Sequence, residues 1–161
     1  MTEPTNSFEY WKDRCQFQIG QCRILVNLTE TEKFYKSQPR IIENCLSEDC
    51  KYYQDTIIQK QNRLFDLLKK MKVDLSRQPN TIPQGLHIVH VHQNKVGYIG
   101  FYYVFGELKK TTKKRKVLDE NGEIIKVSFN DAEFGDNIQV TINRIDIDKL
   151  SFDFYLEDSK E

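Results

Sequence analysis

The sequence predicts an α+β protein in which a helical N-terminal half precedes a small antiparallel β barrel. Three observations indicate this order. Apolar residues recur at a three-four spacing between residues 47 and 75, two prolines and a glycine fall between residues 76 and 85, and apolar residues alternate from residue 86 onward. We therefore expect a helical region over 1–84 and an antiparallel β domain over 85–161.

The composition fits one domain with a core rich in aromatic rings. The 161 residues include ten Phe, eight Tyr and one Trp, while hydrophobic residues make up 39% and charged residues 30%. So many large rings can supply a core, which argues against wholesale disorder. Because the formal net charge is zero, only a local patch of charge can attract a nucleic acid.

The lack of targeting signals indicates an intracellular protein, cytoplasmic or nuclear. The sequence has no run of 18 apolar residues, and its N-terminus lacks the charged start and apolar stretch of a signal peptide. We therefore expect no membrane association. In a reducing compartment we expect the four cysteines to be free thiols, namely Cys15, Cys22, Cys45 and Cys50.

The helical region is predicted to contain a short helix and a long one. Thr29 and Glu32 fit a capping box, which predicts a helix that ends before Pro39. A long amphipathic helix is predicted over about 47–75, capped by Ser47. Its apolar stripe either packs on the chain's own β domain or binds a partner. The candidate partner-binding residues are Tyr53, Ile57, Leu64, Leu67 and Met71.

Six strands are predicted in the β domain. The second, from Val96 to Leu108, is apolar at nearly every position through Phe105, so both of its faces are expected to be covered. Asn121-Gly122 predicts a type I′ hairpin turn between the third and fourth strands. Two last strands, near 138–143 and 150–156, alternate apolar and polar residues as half-buried antiparallel strands do. The other predicted strands are Leu86 to His92, Lys114 to Leu118 and Glu123 to Phe129.

No arrangement of residues in the sequence predicts catalysis. Nucleotide-binding, serine-hydrolase and zinc-protease motifs are absent. His90 and His92 share one strand face without a third ligand nearby. Structural zinc sites use tight cysteine pairs, which only Cys45 and Cys50 loosely match. Asp146 and Asp148 are predicted to end a strand rather than to bind a cation. We therefore predict a protein that is not an enzyme and has no metal site and no cofactor.

Residues 109–116 carry the strongest local charge, with six basic side chains in eight positions. Such a run is often only a solvated turn. The preceding strand is rich in Tyr and Phe, however, and exposed rings beside lysines suit the stacking and phosphate contacts of single-stranded nucleic acid. Rings that point outward would favour this function, and rings that point inward would leave the charges alone. The predicted residues for binding RNA or single-stranded DNA are Tyr98, Tyr102, Lys109, Lys110, Lys113, Lys114, Arg115 and Lys116.

The segment EFGDNIQVTINRIDIDKLSFDFYLED, residues 133–158, resembles the final two strands of an RNA-binding OB barrel. It is most similar to the barrel that closes RNase R-type exoribonucleases and to related ribosomal-protein domains. The matching features are Gly135-Asp136 at the strand entry, Asp146 and Asp148 at the turn, and an apolar alternation formed by Ile138, Val140, Ile142, Phe152, Phe154 and Leu156. The resemblance implies an OB-like barrel that binds single-stranded RNA with aromatic and basic residues on its early strands.

A second resemblance lies where the two predicted regions meet. The predicted helix, the linker and GLHIVHVHQNKVGYIGFYYV, residues 85–104, are similar to the coiled-coil-to-globular junction of kinetochore subunits of the Spc-type RWD fold. Members of that family dimerise and carry no catalysis. The resemblance implies the alternative function, a protein–protein adaptor or scaffold subunit of a larger complex, with a protein partner or a second copy of the chain bound through the helix.

Overall fold

The computed structural model has a mixed helix-and-sheet fold with a barrel-like antiparallel sheet, as predicted. It describes residues 14–44, 48–60, 62–77, 86–92, 95–113, 115–129, 134–135 and 137–159. The helices are α1 (Leu28–Lys36), α2 (Ile41–Asn44), α3 (Glu48–Asp55) and α4 (Arg63–Lys70), with a 3-10 turn at Ile57–Gln59. The strands are β1 (Arg14–Ile19), β2 (Cys22–Asn27), β3 (Leu86–His92), β4 (Lys95–Thr111), β5 (Lys116–Leu118), β6 (Ile124–Phe129), β7 (Ile138–Asp146) and β8 (Lys149–Ser159). None of the described helices is long and apolar enough to cross a membrane.

Strand β4 organises the sheet because it pairs with three other strands. It has 17 residues, and one of its edges pairs with β8 from Lys95 to Phe105. On the other edge, β3 pairs with residues 95–100 and β2 pairs with residues 106–111. The sheet order is β1-β2-β4-β8-β7-β6-β5, with β3 joined to β4. Helices α3 and α4 pack on one side of this sheet, which we call the inner face, and the opposite side is the outer face.

Strands β1 and β2 lie in the part of the chain predicted to be helical and correct that expectation for residues 14–27. These residues form a hairpin whose second strand pairs with β4. Cys22, Ile24 and Val26 point into the core and are each 0% exposed. Leu25 is buried as well, so the strand lacks the apolar–polar alternation that reveals a half-buried strand. The sheet is therefore built from both halves of the sequence.

Helix α1 begins two residues before the position that the capping box predicts. The Asn27 side chain accepts the backbone N–H of Glu30 at 3.0 Å, which makes Asn27 the N-cap in place of Thr29. Asparagine is among the strongest N-cap residues. Since Asn27 is also the last residue of β2, strand and helix follow each other directly. The helix ends before Pro39, as predicted.

Two short helices and a 3-10 turn replace the single long helix predicted over 47–75. Residues 56–58, Thr-Ile-Ile, are β-branched and lose side-chain freedom in a helix. Asn62 then starts α4, because its side chain accepts the backbone N–H of Phe65 at 2.9 Å. The change of direction lets both isoleucines of the 56–58 segment enter the core, where they are 2% and 4% exposed.

The apolar stripe predicted for partner binding lies in the core. Its members pack on the inner face of the sheet, where the ring centroids of Tyr53 and Tyr98 are 5.0 Å apart. The protein's own sheet covers them, so the structure does not present them to a partner helix. The first of the two interpretations, packing on the chain's own β domain, describes what is observed. Leu67 is partly buried against the same core, and four members are at most 2% exposed: Tyr53, Ile57, Leu64 and Met71.

Buried tyrosines join the helices to β4 through hydrogen bonds. The Tyr102 hydroxyl donates its one hydrogen to the Leu75 carbonyl at 2.7 Å. The Tyr53 hydroxyl lies 2.7 Å from the Tyr102 oxygen and is therefore the donor of the bond between the two tyrosines. The Tyr35 hydroxyl donates to the Tyr103 carbonyl at 2.8 Å. Burial raises the pKa of the Tyr35, Tyr53 and Tyr102 hydroxyls. They therefore remain neutral hydrogen-bond donors at neutral pH.

The Asn121-Gly122 turn closes the β5–β6 hairpin, as predicted, but with a different turn type. A type I′ turn needs a positive φ at both central residues. Gly122 has φ of 79°, but Asn121 does not have a positive φ. The Gly122 N–H donates to the Asp119 carbonyl at 3.0 Å. The Asp119 carboxylate also accepts the N–H groups of Asn121 and Glu123 at 2.9 Å each. These bonds select a type I turn followed by a left-handed glycine.

One of the described cysteines differs from the prediction. Cys50 is disulfide-bonded, which corrects the expectation of four free thiols, whereas Cys15 and Cys22 are free. Burial raises the pKa of Cys22 to about 11, so this thiol stays protonated and unreactive at neutral pH.

Candidate nucleic-acid interface

The two faces of β4 carry different aromatic residues. Tyr98 and Tyr102 point to the inner face and are 0% and 2% exposed. Their rings pack against the core, so they cannot stack on a base, and the structure corrects their proposed role. Phe101, Tyr103 and Phe105 alternate with them and are only half-buried. The rings that the outer face offers are therefore those of the odd-numbered residues.

These three rings lie along one face of β4 and are called the outer aromatic row, defined as Phe101, Tyr103 and Phe105. The ring centroids of Phe101 and Tyr103 are 5.1 Å apart, and the planes are inclined by 40°. Phe34 from α1 extends the row, because its ring lies 6.1 Å from Tyr103 and 5.4 Å from Phe105. Contacts of this kind hold the rings in place before any ligand binds.

Helix α1 fixes the part of β4 that carries the row. Residues 101–105 lie between the segments that pair with β3 and β2, so this edge has no neighbouring strand in the described sheet. Two side chains of α1 take the place of that strand. The Tyr35 hydroxyl donates to the Tyr103 carbonyl at 2.8 Å, and the Phe105 N–H donates to Thr31 Oγ1 at 3.1 Å. The backbone beneath the rings is thereby satisfied and held.

Lys149 places a positive charge on the outer aromatic row. Its Nζ lies 4.4 Å from the ring centroid of Tyr103, 5.5 Å from that of Phe105 and 5.3 Å from that of Phe34. These distances are typical of cation–π contacts. A ligand that stacks on the row would therefore meet an ammonium group beside the same rings.

Polar side chains continue the outer face on β8 and β7. The Asp153 carboxylate accepts hydrogen bonds from Ser151 Oγ and Asn143 Nδ2, both at 2.6 Å. Burial raises the pKa of Asp153, although both hydrogen bonds act in the opposite direction. Ser128 and Thr141 hydroxyls lie 3.4 Å apart on the neighbouring strands. The surface beside the rings thus offers fixed hydrogen-bonding groups.

The basic run 109–116 does not form a single charged patch. Lys109 Nζ lies 3.9 Å from a Glu107 carboxylate oxygen, and Lys116 Nζ donates to the Lys113 carbonyl at 2.7 Å. Lys113 itself lies over the Phe129 ring, 4.9 Å from the centroid. Lys110 and Arg115 are exposed, and Lys114 is outside the described residues. The run therefore distributes its charge over different surfaces.

Four cations lie on the same sheet face as the outer aromatic row, and three of them were missed in the sequence. Arg23, Lys126 and Lys149 each lie next to an inward-facing buried residue of their strand, so their side chains point outward by strand alternation. Lys110 shares the outer face because it pairs with Arg23. Strand alternation could have indicated these outward positions in the sequence. Single cations on separate strands do not form a run of charge, however. Arg23 and Lys110 are directly opposite each other on β2 and β4. The outer cations are Arg23, Lys110, Lys126 and Lys149.

The described residues contain no group of three His, Cys, Asp or Glu side chains that could hold a metal ion. His87, His90 and His92 lie in β3. Asp146 and Asp148 lie at the β7–β8 turn, and the Asp146 carboxylate accepts the N–H of Ile147 at 2.7 Å. This bond fits the predicted role of Asp146 at a strand end.

Comparison with known proteins assigns no family to the chain: no family model matches it, nor does any curated protein or solved structure. The outer face is therefore interpreted from its own chemistry, which consists of a row of half-buried rings, a cation among them and a polar surface beside them.

Proposed function

We propose that this protein is a non-catalytic binding subunit that holds RNA or single-stranded DNA on the outer face of its sheet. The observation that carries this proposal is the outer aromatic row with Lys149 among its rings. Base stacking on an exposed ring contributes about 1–3 kcal/mol per base and needs no particular sequence. In sheet-based RNA-binding domains, two or three such rings on one sheet face hold the bases.

The outer cations supply the complementary contact with phosphate. Arg23 and Lys110 lie at one end of the outer face, Lys149 lies beside the rings, and Lys126 lies on β6. If all four contacted phosphate groups, the slope of log K against log salt would be about −3 on a single strand. Since the net charge of the chain is zero, the attraction is local, and we expect binding to weaken sharply as salt increases.

The resemblance of residues 133–158 to an RNA-binding OB barrel supports the same function. Strands β7 and β8 are the two antiparallel strands that this segment contains. The OB-like identity of the barrel belongs to the proposal. Under it, β4 carries the aromatic ligand contacts, and they come from Phe101, Tyr103 and Phe105 instead of Tyr98 and Tyr102.

Fluorescence anisotropy with labelled RNA and DNA 12-mers tests the proposal. We expect binding at 50 mM salt, with a salt slope of about −3. The double variant Lys110→Ser and Lys149→Ser should reduce the steepness of that slope by about 1.4. A matched control is the double variant Lys69→Ser and Lys70→Ser, which removes two exposed lysines of α4 and should leave the slope unchanged. Absence of binding by the wild-type protein at 50 mM salt would contradict the proposal.

A second candidate function, a protein–protein adaptor, is favoured by exposed apolar side chains near β5. Val117 and Leu118 are 47% and 48% exposed on this short strand, and Ile147 is 79% exposed at the β7–β8 turn. Strand β5 stands at the end of the sheet order, where a strand from a protein partner can pair with it. This surface takes the place of the helix stripe that the sequence had suggested.

Light scattering tests the adaptor function independently of nucleic-acid binding. If two copies of the chain associate through β5, we expect a mass above the 19.1 kDa of one chain. The Leu118→Lys variant should then have the single-chain mass. The exposed Lys51→Leu change on α3 serves as a control that should have no effect on the mass. A single-chain mass at all concentrations would contradict self-association through β5.

A further inference from the structure

A shallow pocket of about 450 Å³ lies on the outer face next to the outer aromatic row. It is formed where β4, β8 and β7 run side by side. Two cross-strand rows of side chains line it. In the first, Ile99 is opposite Tyr155, and Tyr155 is opposite Gln139. In the second, the order is Phe101, Asp153 and Thr141.

Two aromatic rings line this pocket. Phe101 and Tyr155 are diagonal neighbours on adjacent antiparallel strands, within reach of one another's side chains. They give a planar heterocycle in the pocket aromatic surfaces to contact. The hydroxyl of Tyr155 donates to the Glu157 carboxylate at 2.8 Å, which restrains this ring.

The polar wall of the pocket is a carboxylate that is held in one orientation. Asp153 accepts one hydrogen bond on each oxygen, from Ser151 and Asn143. A carboxylate has about four lone-pair sites, so each oxygen can accept one more donor. Its partial burial strengthens any bond that it makes to a ligand. The pocket therefore suits a planar group that carries two adjacent N–H donors.

We propose, on the basis of the proposed nucleic-acid binding, that this pocket takes an unpaired guanine base. Guanine presents an N1–H and an N2–H side by side on its Watson–Crick edge, which matches the two oxygens of Asp153. Adenine and cytosine present a donor next to an acceptor, and a carboxylate repels that acceptor. Uracil and thymine have one N–H between two carbonyl groups. The Thr141 hydroxyl and the Gln139 amide can donate to the O6 atom of guanine.

Base substitution in the ligand tests this inference without altering the protein. The probes are labelled oligouridine 8-mers with one central guanosine, inosine or adenosine, together with their deoxy forms, measured by anisotropy at 50 mM salt. Inosine keeps N1–H and O6 but lacks the N2 amine. We expect the guanosine 8-mer to bind about tenfold more tightly than the inosine 8-mer, because one hydrogen bond to a charged acceptor is lost. The adenosine 8-mer should bind at least as weakly as the inosine 8-mer.

Variants of the pocket then connect the preference with its residues. Asp153→Asn places an N–H donor against the guanine donors and should bring the guanosine-to-inosine ratio close to one. Should this variant have a lowered melting temperature, Gln139→Ala provides an independent change at an exposed position, and it should weaken guanosine and inosine 8-mers equally because both keep O6.

The outcomes separate this inference from the proposed function. Equal affinity for the guanosine, inosine and adenosine 8-mers, with binding retained, overturns the guanine pocket and leaves nucleic-acid binding in place. A guanosine preference that persists unchanged in a folded Asp153→Asn protein also overturns it. Absence of binding to every 8-mer and to the longer oligonucleotides at 50 mM salt overturns both.

Discussion

The inner and outer rings of β4 belong to the same strand and have opposite surroundings. Tyr102 is 2% exposed, its ring stacks on Phe154 with planes 7° apart, and its hydroxyl is bonded within the core. Its neighbour Tyr103 is half-buried and lies under the ammonium group of Lys149. Residue type does not distinguish the two tyrosines. The presence of helices on one side of the sheet buries Tyr102 in the core and leaves the ring of Tyr103 partly exposed on the other side.

The largest expected effect is on stability, and it compares the two tyrosines directly. Tyr102→Ala would leave a cavity in the core and should lower the free energy of unfolding by about 3–5 kcal/mol. Tyr103→Ala removes a half-buried ring and should cost about 1 kcal/mol. Urea unfolding followed by circular dichroism measures both. Equal losses for the two variants would contradict the assignment of the inner and outer faces.

The next effect concerns ligand affinity and reverses the order of the two tyrosines. Tyr103→Ala should weaken binding of a single-stranded 12-mer by about 1–3 kcal/mol, since a stacking surface is lost. Tyr102→Phe keeps the inner ring and should leave the affinity unchanged. Anisotropy titrations at 50 mM salt measure both variants. If Tyr103→Ala binds as tightly as the wild type, the outer aromatic row does not hold the bases.

A smaller effect is expected from one hydroxyl group of the core. Tyr102→Phe removes the bond to the Leu75 carbonyl and leaves the Tyr53 hydroxyl without its acceptor. The free energy of unfolding should fall by about 1–2 kcal/mol. Tyr155→Phe on the outer face, whose hydroxyl bonds to Glu157, is the matched control and should change stability by less than about 0.5 kcal/mol. A double variant of Tyr53 and Tyr102 to Phe should show non-additivity, because the two hydroxyls bond to each other.

The smallest effect is a pH dependence that arises on the outer face. Burial raises the pKa of Asp153, so the folded state holds this proton more tightly than the unfolded state. The contribution of Asp153 to stability is therefore greatest below the usual carboxyl pKa and is lost as the pH rises through the raised value. The effect is small because solvent screens a half-exposed group.

Melting temperatures of the wild type and Asp153→Asn, measured from about pH 3 to pH 7, test this dependence. The wild type should lose stability relative to the variant as the pH rises. A difference that stays constant over this range, or that changes in the opposite direction, would contradict the raised pKa of Asp153.

Several features of the fold follow directly from local sequence patterns. The alternation of apolar residues identified β7 and β8, and Asn121-Gly122 marked the β5–β6 hairpin. In β7 the buried residues alternate with exposed or partly exposed ones, so its side chains report orientation. Asp119 then changed the turn type through its own side-chain bonds, an effect that the Asn-Gly pair alone does not reveal.

The features that sequence patterns did not reveal depend on tertiary packing. Strand β4 is apolar on both faces from Val96 to Phe105, so alternation alone cannot indicate which tyrosines point inward. The outcome depends on the helices that cover the even-numbered residues. The spacing of Ile57, Leu64 and Met71 likewise fitted a straight helix, although burial of the Thr-Ile-Ile segment bends the chain. The outer cations come from four different strands, and only the folded sheet brings them to one face.

The side-chain bonds from α1 to β4 also bear on solubility. An open stretch of strand edge is a template on which another chain can add a strand, and this is a common start of aggregation. Between β3 and β2, the Tyr103 carbonyl and the Phe105 N–H would form such a template in a very apolar strand. Tyr35 and Thr31 occupy these groups. Helix α1 thus closes this edge against the addition of another strand, while the rings of the outer aromatic row stay partly exposed.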